Sequence, residues 1–266
     1  MKILSTGVLL TLVVFISASA SVADSITLQN GLSGYTGCAD AYLKGSISDD
    51  KNYGGSLTLE VGVRAHDRDF LIAFDLSPIP AGQRITSASL GLYWIDDFGI
   101  STDEWLDVAV FPLKKSWTEG TGDGQGGEDR SGCSWLYQYA YPSTTTWANG
   151  GANSTTHDRD ADWDDKRRFG PFSSAQWVTW DGDNVTGTVS DWYTGGRSNY
   201  GWVADFTGSS DDGQSVDFNS SELAETSYLF RPKLTITYEP IPEPATLLLV
   251  ATGVLGGFGL LKRRKS

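Results

Sequence analysis

Apolar residues recur at every second position in run after run of this chain, a period that suits strands and no helix. Leu57, Leu59, Val61 and Val63 alternate, as do Phe70, Ile72, Phe74 and Leu76. The spacing returns at Leu90, Leu92 and Trp94, and at Leu106, Val108 and Val110. Late in the chain it marks Tyr200, Trp202, Ala204 and Phe206, then Leu234, Ile236 and Tyr238. A period of two places alternate side chains on one face of a sheet. The runs are short and punctuated by Gly, Asp and Ser. They predict an all-β fold, an antiparallel two-sheet sandwich. One segment has helical spacing: Val185, Val189 and Trp192, ended by Gly195-Gly196.

Both ends stand apart from this pattern. Lys2 precedes an apolar stretch from Ile3 to Ile16, and Ala18-Ser19-Ala20 fits a small-x-small cleavage site. Residues 1–23 are therefore expected to be a secretory signal peptide. At the other end Pro242-Glu243-Pro244 leads into an uncharged stretch, Ala245 to Leu261, closed by Lys262-Arg263-Arg264-Lys265. As a helix that stretch would rise about 25 Å, near the lower limit for spanning a bilayer. The basic stop would hold its end at the cytoplasmic face. Residues 241–266 resemble a PEP-CTERM sorting signal. The resemblance implies processing by an exosortase-type transpeptidase at the inner membrane. The product would then reside at the cell surface or outside the cell.

What lies between, residues 25–239, suits one β domain. The whole chain has a formal net charge of −13. Lys2 and four tail cations belong to the ends, so the body is more acidic still. Such a surface repels nucleic acid and anionic membranes. Cys38 and Cys133 lie in the exported part, where a disulfide between them is expected. The two histidines, His66 and His157, have no zinc-ligand spacing.

Between Ser116 and Gly170 the alternation fades into Gly, Ser, Thr and Asp, yet Trp117, Trp135, Trp147 and Trp163 fall there. Trp135, Tyr137, Tyr139, Tyr141 and Trp147 crowd one segment and are the candidates for stacking on pyranose rings. Trp117 reads first as a plug of the sandwich and second as a sugar platform. Asp158, Asp160, Asp162, Asp164 and Asp165 form an acidic run. It reads as a solvated face, with calcium as the alternative. Asp40, Asp49 and Asp50 are a second calcium candidate. Arg68 and Asp75 read as a structural ion pair.

Several motifs in order carry a wider resemblance. They are Ala39-Asp40-Ala41-Tyr42-Leu43, Asn52-Tyr53-Gly54, the strand Arg68 to Leu76, and Ser116-Trp117-Thr118-Glu119-Gly120-Thr121-Gly122. Ser134-Trp135-Leu136-Tyr137, Asn199-Tyr200-Gly201-Trp202 and Arg231-Pro232 follow. Together they resemble the DNRLRE domain, which is related to carbohydrate-binding module family 96. The resemblance implies a jelly-roll-like sandwich serving as a non-catalytic module, with polysaccharide as its partner. No nucleophile or phosphate loop stands out. Three functions stay open: a polysaccharide-binding or scaffolding surface protein, a structural matrix protein without a glycan site, and a polysaccharide-cleaving enzyme.

Overall fold

The computed structural model describes residues 22–45, 50–124, 131–140, 145–209 and 213–241. Ala23–Ile241 forms one compact unit. Its strands are β1 (Asp24–Leu28), β2 (Cys38–Lys44), β3 (Thr58–Val63), β4 (Asp67–Phe74), β5 (Gln83–Phe98) and β6 (Leu106–Pro112). After a long connection come β7 (Asp165–Phe169), β8 (Gln176–Trp180), helix α1 (Asp183–Thr194), β9 (Trp202–Ser209), β10 (Ser215–Asn219) and β11 (Lys233–Pro240). All eleven strands join one curled antiparallel sheet, consistent with a β-sandwich. One half runs β7–β6–β9–β4, with β2 along the other edge of β4. The other half centres on the long strand β5, which pairs with β8, β11 and β10. β3 and β10 pair with each other and join the halves.

The alternating residues meet in a main core. Leu59, Val61, Phe70, Ile72, Leu90, Leu92, Val108, Val110 and Leu234 are all fully buried there. Phe169, Trp180 and Phe218 pack as a ring cluster with centroids 5.5–6.1 Å apart. The predicted helix forms, adds Val185, Val189 and Trp192 to this core, and stops at Gly195 in the left-handed conformation, φ 75°. Leu57 departs from expectation: it precedes β3 and is 58% exposed.

A second core covers the opposite face of β2, β4, β6 and β9. Ala41, Leu43, Leu71, Ala109, Phe111 and Val203 form its floor. Cys133, Trp147 and Ala152, from the long connection between β6 and β7, close over it. That connection is therefore a covering layer. It also explains why every residue of β6 is buried.

Three expectations are corrected here. Cys38 and Cys133 are free thiols, not a disulfide: Cys38 sits in the main core and Cys133 in the second. Arg68 pairs with Glu60 at 2.7 Å, while the exposed Asp75 accepts from Ser77. The acidic run is wired into the fold rather than solvated. Asp158 is fully buried and accepts the amides of Ala148, Asn149 and Ser154. Asp164 accepts from Trp202 Nε1 and Thr188 Oγ1. Asp165 accepts the amides of Asp181 and Gly182 at the start of α1, and Asp160 pairs with Lys114 and Arg197. Asp162 remains exposed.

Among the described residues no helix is long and apolar enough to cross a membrane. The helix expected over Ala245–Leu261, the sorting motif Pro242-Glu243-Pro244, the basic stop, and the expected signal peptide up to residue 21 lie outside the described residues.

Candidate functional site

A concave site lies beside the second core, where β2 and β4 present two small residues in register, Ala39 opposite Ala73. Alanine at both positions keeps this part of the wall low. Ser116, Trp117 and Glu119, beyond the end of β6, line another side, and Asn199 and Tyr200, just before β9, a third. The cavity has a volume of about 250 Å³. Its walls are tied to each other. Trp117 Nε1 donates to the Tyr200 carbonyl at 2.9 Å, and the Ser116 and Tyr139 hydroxyls lie 2.6 Å apart. Asn199 Nδ2 donates to the Phe74 carbonyl at 2.8 Å. Gly201 makes the following turn with φ 77°, where a Cβ would strike the Ile72 carbonyl. Only glycine suits that close approach.

Glu119 is set by residues far away in sequence. Fully buried Asn52 donates to the Glu119 carbonyl at 2.5 Å and to the Cys133 carbonyl at 2.8 Å, and accepts the Gly122 amide at 2.7 Å. Gly54 lies so close to the Glu119 carbonyl that a side chain there has no room. Asn52 and Gly54 thus need Glu119 and Gly122, which explains why those motifs occur together. Glu119 Oε1 accepts the Asp40 amide at 2.6 Å. Burial, reinforced by Glu222, pushes the Glu119 carboxyl up to about 7. Near neutrality it can therefore donate or accept. Glu119 is the only carboxyl among the described residues lining this cavity, whereas glycoside hydrolysis needs two flanking one bond. Two aromatic rings thus stand beside a hydroxyl, an amide and a carboxyl along one concave wall.

The predicted platform does not form one exposed face. Trp147 is 4% exposed and donates Nε1 to the Ser134 carbonyl at 3.0 Å, so it is a core residue. Trp135 is half-buried against the second core and packs over Gly45, Gly150 and Gly151. Tyr137 bridges to Thr146, and Tyr141 lies outside the described residues. Tyr139 touches the cavity wall through Ser116. Among the calcium candidates, Asp40 is 1% exposed and accepts the Ser221 amide at 2.7 Å, and burial, with Glu119 beside it, pushes its carboxyl well above the ordinary value. Asp50 is half-buried in the connection after β2, and Asp49 is outside the described residues. Among the described residues no three His, Cys, Asp or Glu side chains gather as a metal site. Reading the sequence missed Ala39, Ala73, Asn199 and Tyr200 as wall residues. All four fall within motifs of the family resemblance, Asn199 and Tyr200 in Asn-Tyr-Gly-Trp.

Residues 33–122 match the family model of carbohydrate-binding module family 96, and residues 240–265 match the PEP-CTERM protein-sorting motif. No curated protein matches the chain. Ala39, Ala73, Ser116, Trp117 and Glu119 fall inside the first match, while Asn199 and Tyr200 complete the cavity from beyond it. The chain is thus similar to carbohydrate-binding module family 96 over residues 33–122, and its end is similar to the PEP-CTERM protein-sorting motif.

Proposed function

We propose that this is an exported, surface-sorted, non-catalytic protein whose jelly-roll-like β-sandwich binds extracellular polysaccharide in a cell-surface or biofilm matrix. An exosortase-type transpeptidase removes the tail after the Pro242-Glu243-Pro244 region, with the inner membrane as the intermediate station. The observation that carries the binding reading is the Trp117–Tyr200–Glu119 cavity, most of whose lining falls within the family 96 segment. Aromatic walls take the apolar face of a sugar ring, and Glu119, Ser116 and Asn199 supply polar contacts around it.

A glycan array probed with the full chain tests this. At least one polysaccharide should bind. Tyr200→Ala and Glu119→Gln should each weaken it about fivefold or more per folded molecule, on the order of 1 kcal/mol. An array without binding, or variants that bind at full strength, would leave a structural matrix protein as the reading.

A further inference from the structure

Strand pairing runs up to the sorting motif without a spacer. β11 pairs with β5 through Tyr238–Ile85, Glu239–Arg84 and Pro240–Gln83, and the Ile241 amide then donates to the Gly82 carbonyl at 3.1 Å. The segment matched as the sorting motif begins at Pro240, so its first two residues are held against the sheet. Pro242-Glu243-Pro244 follows directly. Each residue adds at most about 3.6 Å, so by chain length alone Pro244 lies within about 11 Å of Ile241. A small folded domain is already about 30 Å across. An enzyme that closes on these three residues therefore has to touch the body around Gly82.

The surface it meets there is concave and firm. A cavity of about 770 Å³ is lined by Leu76, Ile79, Ala81, Gly82, Tyr193 and Ile241, among others. Leu76 and Ile79 are buried, whereas Ile241 is 58% exposed. The Tyr193 hydroxyl donates to the Pro80 carbonyl at 2.6 Å and accepts the Gln83 amide at 3.1 Å, which ties α1 to the turn before β5. Apart from Asp75, the described lining carries no charged side chain. What it offers a partner is shape and apolar surface, as the centre of a protein interface does.

We infer that this recess is a docking surface for the transpeptidase that processes the tail, so that the enzyme reads the folded body together with the motif. This rests on the sorting reading above and adds that recognition extends past residues 242–244 onto Ala81, Tyr193 and Ile241.

The test follows tail removal from the full chain by pulse-chase and intact mass, in a bacterium that carries an exosortase-type enzyme. Ala81 is exposed, so Ala81→Trp and Ala81→Arg should obstruct the recess without disturbing the core. Each should slow removal about tenfold. Four Gly-Ser residues inserted between Ile241 and Pro242 move the motif up to about 14 Å from the recess and should slow removal similarly. Ala81→Trp combined with the insertion should be no slower than the insertion alone. Wild-type rates in both Ala81 variants would overturn the docking surface and leave the sorting reading standing. Faster removal on insertion would also overturn it, because the enzyme would then need only room. Additive slowing in the combined variant would do the same. Unchanged removal in Ala81→Trp, together with loss of a dimer that the wild type forms, would assign the recess to a second copy instead. A tail that stays attached in every chain, wild type included, would overturn both readings.

Discussion

Cys38 and Cys133 illustrate how burial silences a reactive group. A thiol reacts as its thiolate, and desolvation disfavours that form. Burial raises Cys38 well above its ordinary value, with Asp40 and Glu119 adding to the effect, and it raises Cys133 in the same way. The native protein should therefore resist thiol reagents. Unfolding without a reductant should release two reactive thiols per chain, counted by a chromogenic disulfide reagent. Finding none after unfolding would restore the bridge. Sequence could state only that an exported pair is free to bond. Whether two cysteines share a core depends on which face each one occupies, and the covering layer carries Cys133 to the far side of the sheet from Cys38. The aspartates Asp158 to Asp165 misled for a related reason. Charged residues read as solvated, yet backbone amides and indole N–H groups from the fold satisfy Asp158 and Asp164 internally.

At the level of elements, the connection between β6 and β7 decides what the aromatic residues do. Its Trp147 closes the second core. Trp147→Ala should cost about 3–5 kcal/mol, as for other large core aromatics. In a body of this size that lowers the melting temperature by at least about 6 °C, read by calorimetry. Binding per folded molecule should hold. A stable variant with lost binding would make Trp147 a platform after all. The strands whose main-core face keeps an apolar period of two were legible: the alternation survives in β4, β5, β9 and β11. β7 was not. It reads Asp-Lys-Arg-Arg-Phe, is paired only to β6, and sets Lys166 and Arg168 against Asp107. Charge is how edge strands avoid further pairing, and it erases the apolar period. The site was half legible. Ser116-Trp117-Thr118-Glu119 and Asn199-Tyr200-Gly201-Trp202 stood out as motifs. That they face each other across Ala39 and Ala73 follows from strand pairing, which no local pattern encodes.

For the whole molecule, acidity and burial combine into a dependence of stability on pH. Asp164 is pushed up to about 6, and Glu119 and Asp217 to about 7, each mainly by burial. Asp40 and Asp69 are raised in the same direction, with burial the leading cause. Asp69 faces Asp205 beneath Arg159 and Asn153, and two buried carboxyls so placed favour a retained proton. In the unfolded chain all of these ionise near 4. Between about pH 4 and about pH 7 the folded state thus binds more protons than the unfolded state, so stability falls as pH rises through that window. Asp107 acts oppositely. Its hydrogen bonds to Arg168 hold it below the usual range, and its contribution is lost only as pH falls beneath that lowered value. The net charge of −13 adds repulsion on the alkaline side. The body should therefore be most stable in mild acid. Between about pH 5 and about pH 8 a loss on the order of 2 kcal/mol would lower the melting temperature by about 4–8 °C. Glu119→Gln and Asp69→Asn should each flatten the profile by keeping a neutral group where the wild type must lose its proton. A profile that is level, or that rises toward alkaline pH, would mean that water reaches these carboxyls and that the covering layer does not seal the sheet.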